Sequence, residues 1–408
     1  MRPFYPKISI FFYKMNCYIK LLFFLYLNMI AASGLQSAAT KMAYIDAFAT
    51  ARGNAFTATA NNPSAVFYNG AGLTQLEGTQ IHSNLFTISL DFSADTNLKK
   101  DFADDEWKNI PGLFISHDIN DSPFTFGFGI YSPHASCIKW DKDASFSKKN
   151  HRIGYEMYLA YTKHHAALAW KVTEELSLSA GMSYDYTNIE IKSNLLEYDA
   201  NDDTLGFSLA ALWQPSIKHS FGLNYQAKTE ITYAGKATII GVGKYDSKVD
   251  LTYPESITLG YSYRPNEQWN IELNVDWSNW ERINLFEYKG LPYSPGSPPP
   301  IYDLHWNSAY ILALGATHYF GDGWNISAGY TYIENAVPEQ TMLTITPDTD
   351  RHAFSIGVGR DYKRMYWQIT CQYIYATDRK INNNEFDQVI GEYEMDSYGA
   401  AFSIGYRF

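Results

Sequence analysis

Positive charge is in short supply in this chain: Lys and Arg total 32 against 43 Asp and Glu, a formal net charge of -11. Phosphate binding needs a basic surface, so the balance excludes nucleic acid as a partner. Charged residues of both signs make up only 18%, below the ~25% usual in soluble domains. Cysteine is scarce too. Cys17 lies near the N-terminus, and Cys137 and Cys371 are far apart, so the three form no disulfide framework, although a bridge between the last two stays open. After residue 30 no apolar run approaches the roughly 20 residues that a transmembrane helix requires. Signatures of metal and cofactor chemistry are missing as well. His164 and His165 are adjacent and on a strand point to opposite faces, and His82, His117, His134 and His151 lack ligand spacing. Gly241-Val242-Gly243-Lys244 has no strand-to-helix context for phosphate, and no Gly-x-Ser-x-Gly elbow occurs. No metal and no cofactor are expected.

Aromatic residues are abundant: 33 Tyr, 24 Phe and 10 Trp. Many fall in strictly alternating strands. Tyr398, Ala400, Phe402, Ile404, Tyr406 and Phe408 point one way, and Ser397, Gly399, Ala401, Ser403, Gly405 and Arg407 the other. Ile271, Leu273, Val275 and Trp277 alternate with Asn270, Glu272, Asn274 and Asp276, so the second face is even acidic. Such a face makes a poor dry core and suits a hydrated bore behind a lipid-facing wall. Fourteen strands are expected, among them a third at about 124–132, a fourth at 155–171, a seventh at 219–233 and an eighth at 255–264. Short turns at 120–123, 172–174, 215–218, 265–268, 321–323 and 361–364 interleave with long loops, the richest in proline being Leu291 to Pro300. Trp170, Trp213, Trp269, Trp324 and Trp367 flank the turns, as an interfacial aromatic ring requires.

The N-terminus sets the compartment. Lys14 and Lys20 precede the apolar run Leu21 to Ile30, followed by small residues through Ala39, the order of a secretory signal peptide with cleavage before Gly34 or Thr40. An exported chain with amphipathic strands crosses a membrane only as a closed barrel. The expected fold is therefore all-β, a 14-stranded antiparallel transmembrane barrel over residues 79–408 in the outer membrane of a Gram-negative cell, with a signal peptide at 1–39. Residues 40–78 do not alternate. Asn62 and Pro63 read as a helix start and Asn69-Gly70 as a stop, which fits a short helix inside the bore, or else a flexible linker.

The stretch Ser64-Ala65-Val66-Phe67-Tyr68-Asn69-Gly70-Ala71-Gly72-Leu73 resembles the "SAxxxNPAGL" hallmark of FadL/TodX-type outer-membrane transporters of long-chain fatty acids and hydrocarbons. Gly70 stands where that family has proline, which loosens the turn Asn69, Gly70, Ala71. Further blocks are similar: Gly129 to Pro133, Tyr253 to Pro265, Asp276 to Trp280, Val337-Pro338, and Pro347 to His352. The resemblance implies an N-terminal hatch plugging the lumen, a hydrophobic groove among external loops, an apolar pocket near the hatch, and lateral exit where a kinked third strand opens the wall. Gly127, Gly129 and Pro133 are the candidates for that gap, the glycines serving otherwise as an ordinary small-residue lumen face. A fatty-acid carboxylate needs a cation, for which Arg152 and Arg351 are candidates unless loop acids pair them. In strand four the outward face shifts from Tyr155, Met157, Leu159 and Tyr161 to Ala166, Leu168 and Trp170, which predicts a bulge at 163–165. The expected partners are hydrophobic small molecules, outer-membrane lipid and lipopolysaccharide, and the barrel-assembly machinery through Phe408, with the barrel a monomer. The competing readings are a barrel lipase or esterase with a Ser-His pair, and a surface adhesin.

Overall fold

The structure is a computed structural model that describes residues 41, 44–104, 106–292 and 301–408. The expected signal peptide at 1–39 and the prolines at 295–300 lie outside the described residues.

Fourteen antiparallel strands close on themselves. In chain order they are β1 (Thr79–Thr96), β2 (Lys108–Asp118), β3 in two legs (Phe124–Tyr131 and Ala135–Lys139), β4 (Gly154–Lys171), β5 (Leu176–Ser193) and β6 (Leu196–Ser216). There follow β7 (His219–Gln226 and Thr229–Ile239), β8 (Gly243–Tyr253 and Ser256–Tyr263), β9 (Trp269–Ser278), β10 (Ala309–Tyr319), β11 (Trp324–Ile333), β12 (Arg351–Tyr362), β13 (Met365–Ala376) and β14 (Gly391–Arg407). Closure comes from β1, which pairs with β14 from Gln80↔Arg407 to Thr96↔Gly391 and with β2 on its other edge. Closing the ring pairs the two terminal strands and so removes the exposed sheet edges that lipid cannot satisfy.

The alternation places side chains as expected. Tyr398, Phe402, Ile404 and Phe408 are exposed and Ser397, Ala401 and Ser403 buried, while on β9 Ile271 and Leu273 face out and Asn270, Glu272 and Asn274 face in. Trp170, Trp213, Trp269 and Trp324 form an exposed row beside the short turns.

Three expectations are corrected. β4 carries no bulge at 163–165: its ladder with β5 runs unbroken from Glu156↔Lys192 to Lys171↔Ser177, with one irregularity at Gly154/Glu156. Tyr155, Met157, Leu159 and Tyr161 face inward like Lys163, His165, Ala167 and Ala169. They are apolar because the long-loop half of the bore is apolar, so polarity changes along one face and the chain never changes face. The bulge is in β3 instead. Tyr131 pairs with Lys163 and Ala135 with Ala160, so residues 132–134 oppose only 161–162. Strand three therefore does not end at Pro133: Pro133 has no N–H to donate, the chain bends, and pairing with β4 resumes. Finally, β7 and β8 run well past their expected loop-side ends, to Ile239 and back to Gly243.

Residues 44–76 are almost wholly buried and bond to lumen-facing groups on opposite sides of the ring. Helix α1 (Ala47–Ala51) is capped by Asp46, whose carboxylate accepts from Ala49 N at 2.8 Å. Helix α2 (Ala65–Tyr68) follows an Asx turn in which the Asn62 side-chain oxygen accepts from Ser64 N at 2.9 Å, so Asn62 begins this segment as expected although the helix proper starts three residues later. Asn69 ends it and caps the 3-10 turn Gly70–Gln75, accepting from Ala71 N at 3.1 Å.

Candidate functional site

The long-loop half of the bore holds an apolar cavity of about 830 Å³ including its mouth. Met157 and Leu159 of β4, Ile189 of β5 and Tyr253 of β8 form its wall side, and Phe286 and Trp306 of the loop between β9 and β10 cover it. That loop is folded by a two-stranded ribbon, Leu285–Glu287 with Ile301–Asp303, which carries Tyr302 into the lining. Arg152 is the single charged residue of the lining among the described residues. Its backbone carbonyl accepts from the Tyr302 hydroxyl at 2.8 Å, and its Nε is buried with no hydrogen-bond partner among the described residues. Burial pushes the Tyr302 phenol up to about 12, which the nearby Arg152 guanidinium only partly offsets, so the phenol stays neutral. Arg351 is placed differently: it is buried, 3.9 Å from the carboxylate of Asp348, and is absent from that lining.

A second, more polar chamber of about 500 Å³ lies deeper, lined by Phe67 of the N-terminal segment, Tyr131, Pro133 and His134 of β3, Tyr161 and Lys163 of β4, and Lys41 among others. Both lysines are paired, Lys163 with Asp185 at 3.2 Å and Lys41 with Asp276 at 2.5 Å. Beside this chamber the wall is interrupted. The lower leg of β3 pairs with β2 from Asp118↔Thr125 up to Leu113↔Ile130, and the upper leg pairs with β4. Residues 108–112 of β2 are paired with β1, and no ladder joins them to β3 among the described residues. The interruption is bounded above by a bridge from Ala103 to Trp140 and the bond from Asp104 N to Lys139 O at 2.7 Å. Tyr44, Ile110 and Ala135 pack together behind it.

Of the three gap candidates, Pro133 sits at this break and the two glycines sit below it, in the paired leg. A Cβ on Gly127 would meet Leu73 at 2.6 Å and Val66 at 2.7 Å, and one on Gly129 would meet Phe114 at 2.6 Å. Both glycines thus admit packing from inside the bore. Asn69, Gly70 and Ala71 are brought together as one turn, with Asn69 Nδ2 donating to Thr57 O at 2.8 Å and Ala211 O at 3.0 Å. The sequence reading missed Tyr131, which stacks on Phe114 with ring centroids 5.7 Å apart, meets the edge of Phe67, and shares a 2.8 Å hydrogen bond with His165 Nδ1. His165 Nε2 lies 2.9 Å from Ser208 Oγ. This Ser-His pair faces into the bore, and its third member is a phenol where a hydrolase triad has a carboxylate to stabilise the imidazolium.

A closed antiparallel ring with an apolar belt, an interfacial tryptophan row and an N-terminal segment buried in its bore defines an outer-membrane β-barrel. The match to the sequence family described as "Outer membrane protein transport protein (OMPP1/FadL/TodX)" covers residues 28–408, and the chain belongs to that family. It is 22% identical over 239 residues to the "Long-chain fatty acid transport protein" of Escherichia coli (strain K12), a match covering 54% of this chain and 51% of the relative. The chain thus spans about half the length of that curated relative. It is 21% identical to "Outer membrane protein P1" of Haemophilus influenzae, with 68% and 67% covered. In fold it is similar to a crystallised Pseudomonas aeruginosa FadL homologue, with a TM-score of 0.81 at 16% identity, covering 91% of this chain and 100% of that one. The Pseudomonas putida toluene transporter TodX follows with a TM-score of 0.70 at 13% identity, covering 92% and 100%.

Proposed function

We propose that this protein carries hydrophobic compounds, long-chain fatty acids or hydrocarbons, passively across the outer membrane. One observation carries the reading: an apolar cavity beneath the long loops leads toward an interruption in the barrel wall between β2 and β3. Each CH₂ moved from water into such a cavity gains roughly 0.8 kcal/mol, a gain that a water-filled pore does not offer. Cargo would collect under the loops, descend to the polar chamber and leave sideways into the bilayer past Pro133. Residues 44–76 act as the hatch that keeps the bore closed to water. The family membership and the printed names of relatives support this class of cargo. The exposed belt supports lipid contact, and the free-standing ring, with both edges used in closure, supports a monomer. Phe408, exposed at the chain end and bonded through its N–H to Thr79 O, is suited to the barrel-assembly machinery.

Arg152 is the proposed carboxylate anchor. Hydrogen bonds to a charged group are worth about 1.5–3 kcal/mol, so Arg152→Gln is expected to weaken oleate binding to the purified protein by roughly tenfold or more. Toluene carries no charge and is expected to bind the variant as it binds the wild type. Equal loss for both ligands would assign Arg152 to folding of the loop, and no loss for either would remove it from the site.

A further inference from the structure

The polar chamber meets the wall a second time, at Gln226, Ala227 and Thr229 of β7 and Pro254 of β8, and there the ladder between β6 and β7 stops. β7 pairs with β6 below this point up to Gln226↔Ser208 and above it from Ala234↔Asn201. In between, Ala227 N donates to Phe207 O at 2.9 Å, and Thr232 N donates at 2.7 Å to the side chain of Asp202, where a ladder would offer a backbone carbonyl. No ladder joins residues 203–206 to 228–231 among the described residues. The cause is a change of face that only one of the two strands makes. On β6 the outward residues are odd-numbered from Glu197 to Leu209. On β7 they are Phe221 and Leu223 below the break but Glu230 and Thr232 above it, and β8 switches at the same level, from Ile257 and Leu259 to Asp250 and Lys248. Pro254 has no N–H to donate, so β7 and β8 turn there as a pair and β6 does not follow. Leu205, in the middle of the break, is accordingly 67% exposed against 45% for Leu209 in the paired part.

We propose that this break is a second side port of the polar chamber, slower than the one between β2 and β3 because Asp202 fastens it. The inference rests on the transport reading and adds a way out for the same hydrophobic cargo. At its inner edge stands Gly206, where a Cβ would meet Ser183 Oγ at 2.5 Å, Asp185 Oδ2 at 2.8 Å and Lys163 Nζ at 3.2 Å. Lys163 also lines the chamber, so the two spaces adjoin at this ion pair. The outer rim is apolar on β6, with Leu205 and Phe207 exposed, and charged on β7, where Lys228 and Glu230 pair at 2.6 Å. Such a rim suits the boundary between acyl chains and headgroups. Thr232 is held on the β8 side by its hydroxyl, which donates to Asp250 at 2.8 Å, and Asp250 in turn meets Lys289 at 2.6 Å. When the Asp202 carboxylate lets go, Thr232 therefore stays with β7 and β8, and the seam parts from β6. Four residues of strand span about 13 Å, room along the seam for one alkyl chain that keeps about 4 Å from the carbons beside it.

The test uses Thr229→Cys, whose parent residue is 4% exposed beside the chamber, in a barrel whose Cys137 and Cys371 are serine, purified into phosphatidylcholine vesicles. N-pyrenylmaleimide dissolved in the bilayer is expected to label it slowly. Asp202→Ala is expected to speed labelling by roughly tenfold or more, while Asp202→Asn, whose side-chain oxygen still accepts from Thr232, stays within about threefold of the parent. In cells whose β2–β3 break is closed by joining Lys108→Cys to Cys137, Asp202→Ala is expected to raise oleate uptake by roughly fivefold or more. Labelling as slow in folded Asp202→Ala as in the parent overturns the port, and fast labelling of the parent overturns the fastening. Fast labelling in Asp202→Ala without a rise in uptake denies the seam to cargo and overturns the port as well. Labelling needs no transport, so if the untethered wild type carries no oleate the transport reading falls by itself, and the labelling rates still decide whether Asp202 closes the seam.

Discussion

Cross-linking Lys108→Cys to the native Cys137 with a short bis-maleimide is expected to stop uptake of hydrophobic cargo while the barrel remains folded. Lys108 begins the part of β2 that has no ladder to β3, and Cys137 lies on the upper leg of β3, opposite Tyr158 of β4. The Lys108 side chain lies near the Cys137 thiol across the interruption, so a short tether is suited to span it. The exposed Cys371 on β13 is replaced by serine to keep the reaction at one site. The β6–β7 ladder is also broken, over residues 202–207 and 227–233, where Ala227 N bonds Phe207 O and Thr232 N bonds the Asp202 carboxylate; the tether closes only the β2–β3 interruption and is expected to cut uptake by roughly tenfold or more if that is the exit. Lys108→Cys without the reagent is expected to transport as wild type. Full cross-linking with undiminished uptake would mean that cargo leaves by another route.

The second large effect is expected at Glu272, on the opposite wall. Arg52 of the N-terminal segment and Glu272 of β9 are both fully buried, 3.3 Å apart. Glu272 also accepts from Ala58 N at 2.7 Å and from the Thr59 hydroxyl, and Arg52 donates to Asn270 Oδ1 at 3.1 Å. Removing one partner of a buried pair costs about 3–5 kcal/mol, because the remaining charge is left in a dry site. In Glu272→Ala that cost falls on the segment at 44–76, since the ladder holds the wall independently. The expected result is a folded barrel that conducts ions in a planar bilayer where wild type is nearly silent. The double variant Arg52→Met with Glu272→Leu, which replaces the pair by apolar bulk, is expected to close the bore again. A Glu272→Ala barrel as tight as wild type would deny these residues the role of hatch anchor.

Much of the wall was legible in the sequence, because a strand between lipid and water must alternate, and Tyr398 against Ser397 or Ile271 against Glu272 state the two faces outright. The short turns announced themselves through their tryptophans. Legibility failed where the bore turns apolar. Tyr155, Met157, Leu159 and Tyr161 carry the same alternation whether they face lipid or a greasy cavity, and hydrophobic period alone cannot separate the two. The β3 bulge was hidden for a related reason: Pro133 is a strong stop signal, but whether a ladder resumes beyond it depends on a partner strand some 25 residues on. Arg152 and Arg351 looked equivalent from the sequence. Their surroundings separate them, one opening into an apolar cavity and the other beside Asp348. The β6–β7 break left no trace in sequence, since Asp202 and Thr232 meet from two separate strands and form no motif. The Arg52–Glu272 pair was half visible: an inward acid on β9 was expected, its arginine partner in the N-terminal segment was not.

The most direct measurement is entry of radiolabelled oleate and toluene into cells that carry or lack the gene, at equal surface expression of a folded barrel. The account predicts faster entry of at least one of the two when the gene is present, with no energy source required beyond the concentration gradient. Identical entry with and without the gene, for both molecules, would contradict it.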